Sequence, residues 1–484
     1  MASRKRRGNI KNITSADLQN SFRLRFSNNG SSNLGTDDAM TLLQYSSDQF
    51  NSLIDSFFIF GIFPFESENE KPRTLFAYPN QDPKKNEVFC RFCFPNSQRV
   101  NKKEKRKSLS LAYNSTKTID FIPLYFPESS DSPYLFVSKF FANSITMPII
   151  CHQMNLCDVI SRFDGQYSEF CIAIQSKLPF YSLFQDYVKW YLNCERILRL
   201  SISDDIENYY TGTMKTITSS RDFLEENRVK LLSHLTSFLS IPAPRVNESI
   251  EIDDPPFTYF KWDRKYSFHN YYPLACEVLY DLFQCLSLNN LIILFSGVLL
   301  EKSIVFYHPN QKISPSSVMA MHFLLKPLKW IGSSISILPT DLEDLLSAPN
   351  PFIIGLSDNI VFKSHSDIKA NKRNSTNNIY FRTISIESNM LCDFISKNID
   401  QDNIVFVDLK NDKLFLNDNY ENIPIKNILL NEFSKRYSEI VANDSPVIFE
   451  ILEKFNIFIT NILDKLRISL ISDLSTPQVS NIKK

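Results

Sequence analysis

Cysteines and histidines are the residues of this chain with the clearest potential for chemistry. Cys90 and Cys93 form a C-x-x-C pair in the stretch VFCRFCFP, a spacing that zinc sites use. A structural zinc site needs a second pair of ligands at a suitable distance along the chain, and the sequence offers none. We therefore interpret this stretch as a β-strand that contains two thiols, and we expect neither a bound metal nor a cofactor.

The motifs of common catalytic sites are missing from the sequence. Gly30 and Gly35 have the spacing of a P-loop, but Thr-Asp follows where the loop requires lysine and then serine or threonine. The nucleophile elbow, the H-E-x-x-H motif and the kinase motifs do not occur. Of the six scattered histidines, His308 and His322 lie beside or within predicted elements, and a structural role is favoured for both. These observations favour a binding protein over an enzyme with its own active-site chemistry.

The composition is typical of a large folded protein. The chain has 484 residues, of which 43% are hydrophobic and 13% aromatic, so two or three domains with sizeable cores are expected. Lysine plus arginine and aspartate plus glutamate both total 53, so no net charge attracts nucleic acid. We interpret the basic runs at residues 4–7 and 102–107 as a solvated tail and a solvated loop, and the alternative for both is a nuclear signal or a contact with anionic lipid.

Cysteine usage and hydropathy predict the compartment. Nine cysteines without the spacing of a disulfide framework indicate free thiols in a reducing environment. We recognise no signal peptide, and the most apolar run, residues 291–300, has about half the length that a bilayer-spanning helix needs. We therefore expect a cytoplasmic protein.

The first half of the chain predicts a sheet with a helix packed on it. Residues 1–49 are rich in Ser, Asn and Arg and are predicted to be disordered. Short β-rich runs then predict a meandering sheet, and these runs begin at residues 57, 73, 88, 121, 134, 147 and 170. The stretch LPFYSLFQDYVKWYLN predicts a helix on this sheet. A polar linker over residues 201–220 follows, and then a helix that ends at IPAP.

Helices alternate with short apolar strands over residues 273–356, which predicts a largely parallel sheet covered by helices. Ser314 is predicted to cap one of these helices, with Pro315 in its first turn. Thr340 is predicted to cap a short helix. The prolines of SAPNPFIIGL end that helix and start the next buried strand.

The C-terminal part is predicted from its polarity and its periodicity. Residues 362–390 form a hydrophilic insertion, and NIVFVDLKNDKLFL predicts two strands around an Asn411–Asp412 turn. A helix with one apolar stripe, from Ile448 to Leu466, completes the ordered part, and residues 469–484 form a tail.

Residues 282–356 resemble the central module of the DENN domain family. The motifs occur in the family's order: a buried helix followed by LLEK, the strand SIVFY, a long helix, then PLKW, LP and APNPFIIGL. FFIFGIFPF and CIAIQSKLPFYSLF upstream, and NIVFVDLKNDKLFL downstream, resemble the outer modules of the family less specifically. The sequence departs from the family pattern at VSKFFANSITMP and at the IGSS that follows Trp330.

The resemblance implies an α/β fold with two lobes. The N-terminal lobe, residues 50–200, would be a longin-like mixed α/β sheet. The C-terminal lobe would have a largely parallel sheet and a helical tail, formed by a central module at residues 221–361 and a downstream module at residues 391–468.

The resemblance also implies a function, guanine-nucleotide exchange on a Rab-type small GTPase in vesicle trafficking. Such a protein needs no nucleophile, because a partner that prefers the nucleotide-free GTPase weakens nucleotide binding by the same factor. The implied partner is a Rab in its GDP-bound or nucleotide-free form. The implied location is the cytoplasm, with peripheral contact to endomembranes and no nucleic acid.

Loops after the carboxyl ends of parallel strands commonly bind the ligand of such a sheet. The candidates for GTPase contact therefore follow SIVFY and PFIIGL, and ordinary solvated turns are the alternative interpretation of these residues. The candidates are His308, Asn310, Ser357, Asp358 and Asn359. Five further residues match positions of the family and are assigned roles in the fold: Trp330, Pro349, Pro351, Gly355 and Asp408.

Two other functions are alternatives at this point. Some relatives act as subunits of GTPase-activating complexes and supply an arginine, for which Arg73, Arg91 and Arg99 are the candidates here. The third function is that of a non-catalytic trafficking scaffold.

Overall fold

Five runs of β-forming residues build the first sheet in a computed structural model of the chain. The strands are β1 (Ser56–Gly61), β2 (Arg73–Tyr78), β3 (Thr118–Tyr125), β4 (Tyr134–Ala142) and β5 (Ser168–Ser176). All pairs are antiparallel, in the order β2-β1-β5-β4-β3. The predicted meander is therefore wrong in its order, because β5 is inserted between β1 and β4.

The structure describes residues 53–62, 71–79, 82–95, 118–127, 133–143, 146–151, 168–201, 204, 208, 211–213, 218–244, 247–253, 258–264, 272–357, 404–416, 426–438, 440 and 445–475. All of them belong to one compact unit, Ser52–Lys484. The predicted head at residues 1–49, the basic loop at 102–107 and the polar insertion at 362–390 lie outside the described residues.

The stretch VFCRFC is helical, so its prediction as a strand is wrong. Helix α1 (Pro83–Cys93) begins with proline, and the carboxylate of Asp82 accepts a hydrogen bond from the Lys84 N–H at 3.0 Å. The buried residues recur at helical spacing: Asn86, Phe89, Cys90 and Cys93. Asp82 and Pro83, which favour the start of a helix, thus precede the apolar run and determine its conformation.

The run MPIIC does not form a strand either. Ile149–Cys151 is a short 3₁₀ helix, in which the Cys151 N–H donates to the Pro148 carbonyl at 2.9 Å. Its three side chains are buried in the main core. The turn after Pro148 therefore outweighs the β preference of the two isoleucines.

Both faces of the first sheet are covered. On β1, Phe57 and Ile59 belong to the core shared with helix α2 (Tyr181–Ser201), whereas Phe58 and Phe60 belong to the core shared with α1. This alternation follows from the two-residue period of a strand. Helix α3 (Thr218–Ser240) and a hairpin that the sequence did not predict, β6 (Ser249–Ile252) with β7 (Phe260–Asp263), pack against α2.

The second sheet is largely parallel, as predicted. Its strands are β8 (Ser303–His308), β9 (Ser333–Ile335), β10 (Phe352–Ser357), β11 (Ile404–Asp408) and β12 (Lys413–Phe415), in the order β12-β11-β8-β10-β9. Only the hairpin of β11 with β12 is antiparallel, around the predicted turn at Asn411 and Asp412.

Helices cover one face of this sheet: α4 (Tyr272–Cys285), α5 (Leu288–Leu299), α6 (Ile313–Leu324), α7 (Lys426–Ser438) and α8 (Ser445–Ser475). A 3₁₀ segment, Thr340–Ser347, packs on the other face. Helix α8 buries the first part of the predicted apolar stripe, Ile448, Ile451 and Phe455, but Phe458 and Ile462 are only half-buried and Leu466 is 55% exposed. Helix α7 was not predicted.

Two predicted caps are wrong. Helix α6 begins at Ile313 after Lys312, and the hydroxyl of Ser314 instead donates to the carbonyl of Leu356 at 2.7 Å. Pro339 occupies the cap position before the 3₁₀ segment, so Thr340 is its first residue and makes no capping bond. The serine has a tertiary partner that a capping rule does not consider.

The two sheets meet at the edge of β3. The hydroxyl of Ser336 accepts a hydrogen bond from the Tyr125 N–H at 2.8 Å and donates to the Tyr125 carbonyl at 3.0 Å. Beside it, His322 Nε2 lies 2.7 Å from Ser334 Oγ, and the imidazole meets the Tyr125 ring edge-on at 4.9 Å. The backbone groups at this end of β3 are thus bonded by the second sheet.

Within the described part of the chain, no single helix has the length and apolarity to cross a membrane. Helices α4 and α5 meet that criterion only when counted together, with a bend of 117° between them.

Candidate functional site

The carboxyl ends of three parallel strands lie together at one edge of the second sheet. In the pairing of β8 with β10, His308 is the partner of Ser357, and in the pairing of β8 with β11, Tyr307 is the partner of Asp408. The parallel register therefore brings His308 and Ser357 together. Asp358 and Asn359 lie outside the described residues.

The side chains of His308 and Asn310 form the turn that leads into α6. His308 Nδ1 accepts a hydrogen bond from the Asn310 N–H at 2.9 Å. Asn310 Oδ1 accepts one from the Lys312 N–H at 2.8 Å. These bonds fix the backbone between β8 and α6, and the side chain of Gln311 extends from this turn.

Gln311 connects this edge to the first sheet. Its Oε1 accepts a hydrogen bond from Lys139 Nζ at 2.7 Å, and Lys139 is a buried residue of β4. The same ammonium group lies 3.5 Å from Glu169 Oε1 of β5 and 5.3 Å from the centre of the Phe94 ring. The buried Lys139 side chain therefore lies between the turn of the candidate edge and the end of α1.

A second ionic cluster supports the same turn from the helical face. Lys312 Nζ lies 2.9 Å from Glu277 Oε1 and 3.1 Å from Asp281 Oδ2, both on α4. Burial alone would lower the pKa of Lys312, but the two carboxylates outweigh it and raise the pKa. Burial also raises the pKa of Asp281, against the opposing effect of Lys312. The cluster fixes α6 to α4 directly below the candidate edge.

Asp408 is fully buried at the end of β11. Its Oδ1 accepts from the Lys410 N–H at 3.1 Å and from the Asn411 N–H at 3.3 Å, and its Oδ2 accepts from Asn411 Nδ2 at 2.7 Å. This carboxylate shapes the turn between β11 and β12.

The other residues at family positions lie at the opposite edge or within the sheet. Trp330 Nε1 donates to the Ser333 carbonyl at 3.3 Å, and the Pro351 carbonyl accepts from the Ser333 N–H at 3.2 Å. Pro349 is exposed. A side chain on Gly355 would overlap the carbonyl oxygen of Ser336, so the close approach of the two backbones excludes any larger residue.

A cavity of about 410 Å³ opens next to Phe94, between β2, α1 and the 3₁₀ segment. Two of the three arginines considered as catalytic fingers line it, Arg73 and Arg91. Arg91 is held by two carboxylates, with Nη2 at 2.8 Å from Glu87 Oε1 and Nη1 at 3.4 Å from Asp341 Oδ2. Arg99 lies outside the described residues.

Sequence reasoning did not find Lys139, Gln311 or Ser336, which join the two sheets. A lysine in the middle of the strand YLFVSKFF was the available signal, because an ammonium group in a buried strand requires a partner. No group of three or more metal-ligating side chains occurs among the residues that the structure describes.

Comparison with protein families gives a match over part of the chain. Residues 167–371 match the model of the DENN (AEX-3) domain. This segment contains β5, the helices from α2 to α6 and the strands from β6 to β10. It thus includes both predicted loops of the candidate edge.

Curated relatives match a shorter stretch. The chain is 40% identical over 78 residues to "Elicitor of plant defense protein 1" of Fusarium odoratissimum, which is 16% of this chain and 8% of that protein. It is 36% identical over 75 residues to human "DENN domain-containing protein 2B", 16% of this chain and 7% of the relative. A DENN domain-containing protein of Schizosaccharomyces pombe is 38% identical over 77 residues, 16% of this chain and 8% of that relative.

The aligned stretches cover less than a tenth of the length of these relatives, so the names describe those proteins and not this one. The domain match includes the motifs of residues 282–356, and two of these three relatives are named as DENN domain-containing proteins. Over residues 167–371, this chain is thus similar to the DENN domain family.

Proposed function

We propose that this chain is a guanine-nucleotide exchange factor for a Rab-type small GTPase. The observation that supports the proposal is the DENN domain match over residues 167–371, because exchange on Rab GTPases is the activity expected of that family. The proposal also includes the finer fold: the antiparallel sheet with α1 and α2 as a longin-like lobe, and the parallel sheet as the second lobe.

We propose the carboxyl edge of the second sheet as the GTPase-contacting surface. It consists of the turn at His308 and Asn310, Ser357 with the residues after it, Asp358 and Asn359, and the neighbouring Gln311–Lys139 contact. Hydrogen bonds fix the turn at His308 and Asn310, and Lys139 holds the side chain of Gln311, so this part of the surface would lose little conformational entropy on binding a GTPase.

Exchange by this surface requires binding and no bond chemistry. A surface that binds the nucleotide-free GTPase more tightly than the loaded form lowers nucleotide affinity by the same factor. A tenfold preference corresponds to about 1.4 kcal/mol. The proposed setting is the cytoplasmic surface of endomembranes, where such GTPases are recruited.

Release of a fluorescent GDP from a panel of purified Rab GTPases tests the proposal. We expect the full chain to accelerate release from at least one member, and we expect the double variant His308→Ala, Asn310→Ala to slow this release about tenfold. Lys465→Ala, at an exposed residue of α8 away from this edge, is the control and should leave the rate unchanged.

The unfolding midpoint of each variant separates lost contact from lost structure. Absence of acceleration across the whole panel would contradict the proposal. Acceleration of GTP hydrolysis without release of GDP would instead support an arginine-finger function.

A further inference from the structure

The side-chain amide of Gln311 has a fixed orientation. Lys139 Nζ donates to Gln311 Oε1 at 2.7 Å, and an ammonium group can only donate hydrogen bonds. The oxygen of the amide must therefore face Lys139, and the Nε2 group must lie on the other side. An amide beside a water molecule or a hydroxyl group could turn over, because those neighbours both donate and accept, but this amide cannot.

Lys139 is a rigid support for the glutamine because its own side chain is enclosed. The side chain extends from β4 and is 5% exposed, and Nζ lies 3.5 Å from Glu169 Oε1 and 5.3 Å from the centre of the Phe94 ring. A buried ammonium group requires partners of this kind, since losing them is costly without water. The ammonium group therefore stays in place beside Gln311.

The other end of the amide is available to a partner. Gln311 is half-buried, and within the described part of the chain no group bonds to its Nε2. This nitrogen is not one of the buried polar atoms that lack a partner, so it is open to solvent. It lies in the turn between β8 and α6, next to Asn310 of the candidate edge. Because the ammonium group polarises the amide through its oxygen, Nε2 is a stronger donor than the nitrogen of an isolated amide.

We infer that Gln311 is a specificity-determining residue of the candidate edge and that Lys139 is its positioning residue. Gln311 Nε2 donates a hydrogen bond to an acceptor oxygen of the partner, either a carboxylate or a main-chain carbonyl. A partner that presents an N–H or ammonium group at this point is disfavoured, because the amide cannot turn its oxygen towards that group. The partner that meets this edge is the GTPase, so the inference rests on the exchange activity proposed above.

Gln311→Glu removes the donor but keeps the contact with Lys139. The carboxylate can still accept from the ammonium group, so the fold is retained, but it has no N–H group to offer. We expect the rate of GDP release from the Rab GTPase that responds in the panel to fall about tenfold, with an unfolding midpoint that does not fall. Gln311→Ala also lacks the donor. Because a carboxylate additionally repels an acceptor oxygen, the alanine variant should lower the rate no further than the glutamate variant does.

Gln185→Glu is the matched control. Gln185 is also half-buried, but it lies on α2, which packs on the face of the first sheet opposite to that of Lys139 and Phe94. The same replacement of an amide by a carboxylate should leave the rate of GDP release unchanged there.

A double-mutant cycle tests whether Lys139 acts through Gln311. Lys139→Met is combined with Glu169→Gln, so that no buried carboxylate is left without its cation, and Glu169→Gln alone is the reference. We expect the loss of Lys139 to slow GDP release about threefold when Gln311 is present, because the amide is then free to turn. The same loss should have no further effect in the Gln311→Ala variant. A purely structural role of Lys139 would slow release by the same factor in both.

The outcomes distinguish this inference from the proposed function. If the unaltered chain accelerates GDP release and Gln311→Glu accelerates it equally, the exchange activity stands and the inference is overturned. An effect of Lys139 that is equal with and without the Gln311 amide would overturn it as well. If the unaltered chain accelerates release from no Rab GTPase, both proposals fail together.

Discussion

The antiparallel sheet lies between α1 and α2, whereas the parallel sheet has helices on one face and a 3₁₀ segment on the other. In the antiparallel sheet, successive loops alternate between the two ends, so residues for binding are not gathered at either end. In the parallel sheet, β8, β10 and β11 all end at the same edge. The comparison teaches that the second sheet can offer a partner several loops gathered at one edge, whereas the first sheet cannot.

The largest expected effect concerns the tolerance of each sheet to a single methyl group. Gly355→Ala places a methyl group against the Ser336 carbonyl, a backbone atom of the neighbouring segment. We expect a loss of about 3 kcal/mol or more in the free energy of unfolding, measured by urea titration. The physical reason is that the sheet and the segment after β9 must separate to admit the methyl group.

Gly61→Ala in β1 is the matched substitution in the other sheet. Its methyl group would lie 2.9 Å from Cδ1 of the Phe170 ring, a side-chain atom that can shift. A loss of about 1 kcal/mol is expected. Equal losses in the free energy of unfolding for the two substitutions would show that the backbone around Gly355 is no more tightly packed than that around Gly61.

The second prediction concerns the contact that joins the sheets. Ser336→Ala removes the partner of both the Tyr125 N–H and the Tyr125 carbonyl, and we expect a loss of about 2 kcal/mol in the free energy of unfolding. Ser296 is the control, because it is equally buried but its hydroxyl donates to the Ile292 carbonyl of its own helix. Ser296→Ala should change stability by less than about 0.5 kcal/mol. A neutral Ser336→Ala would refute the importance of this contact.

The smallest effect concerns pH at the same boundary. Burial lowers the pKa of His322 to about 4, so the imidazole is neutral in the folded protein, whereas the unfolded chain takes up a proton below about pH 6.5. Its contribution to stability is therefore complete above pH 6.5 and is lost as the pH falls towards 4. The loss at pH 5 is about 1–2 kcal/mol.

Urea titrations of the protein and of His322→Gln between pH 7 and pH 4.5 measure this contribution. Since both chains share every carboxylate, the difference between their pH profiles isolates the histidine. Parallel profiles would show that His322 titrates normally in the folded state.

The same two sheets show how far the sequence determines the fold. Apolar runs with β-branched and aromatic residues predicted the five strands β1 to β5 correctly, because a strand's two-residue period is local. Helix α1 was predicted wrongly, since the apolar spacing of VFCRFC fits both periods over six residues. Asp82 and Pro83 decide between them, and they precede the run.

The candidate edge could be predicted because strand direction is fixed by the crossover connections. That rule placed His308 and Ser357 at one edge, and the register brings them together. It could not find Lys139 or Ser336, whose partners are 172 and 211 residues away in the chain. Contacts between residues so far apart in the chain depend on how the two sheets pack, and the pattern of neighbouring residues in the sequence does not predict that packing.

The position of β5 has a practical consequence for work with fragments. The segment that matches the domain model begins at residue 167 and ends at 371. It contains β5 but lacks its two neighbours, β1 and β4, and it contains β8 but lacks its neighbour β11. Expressed alone, it would expose hydrogen-bonding edges on the central strands of two sheets and would aggregate. The recognisable segment of this protein is therefore not a unit that can be excised, and truncations should preserve residues 53–475 as a whole.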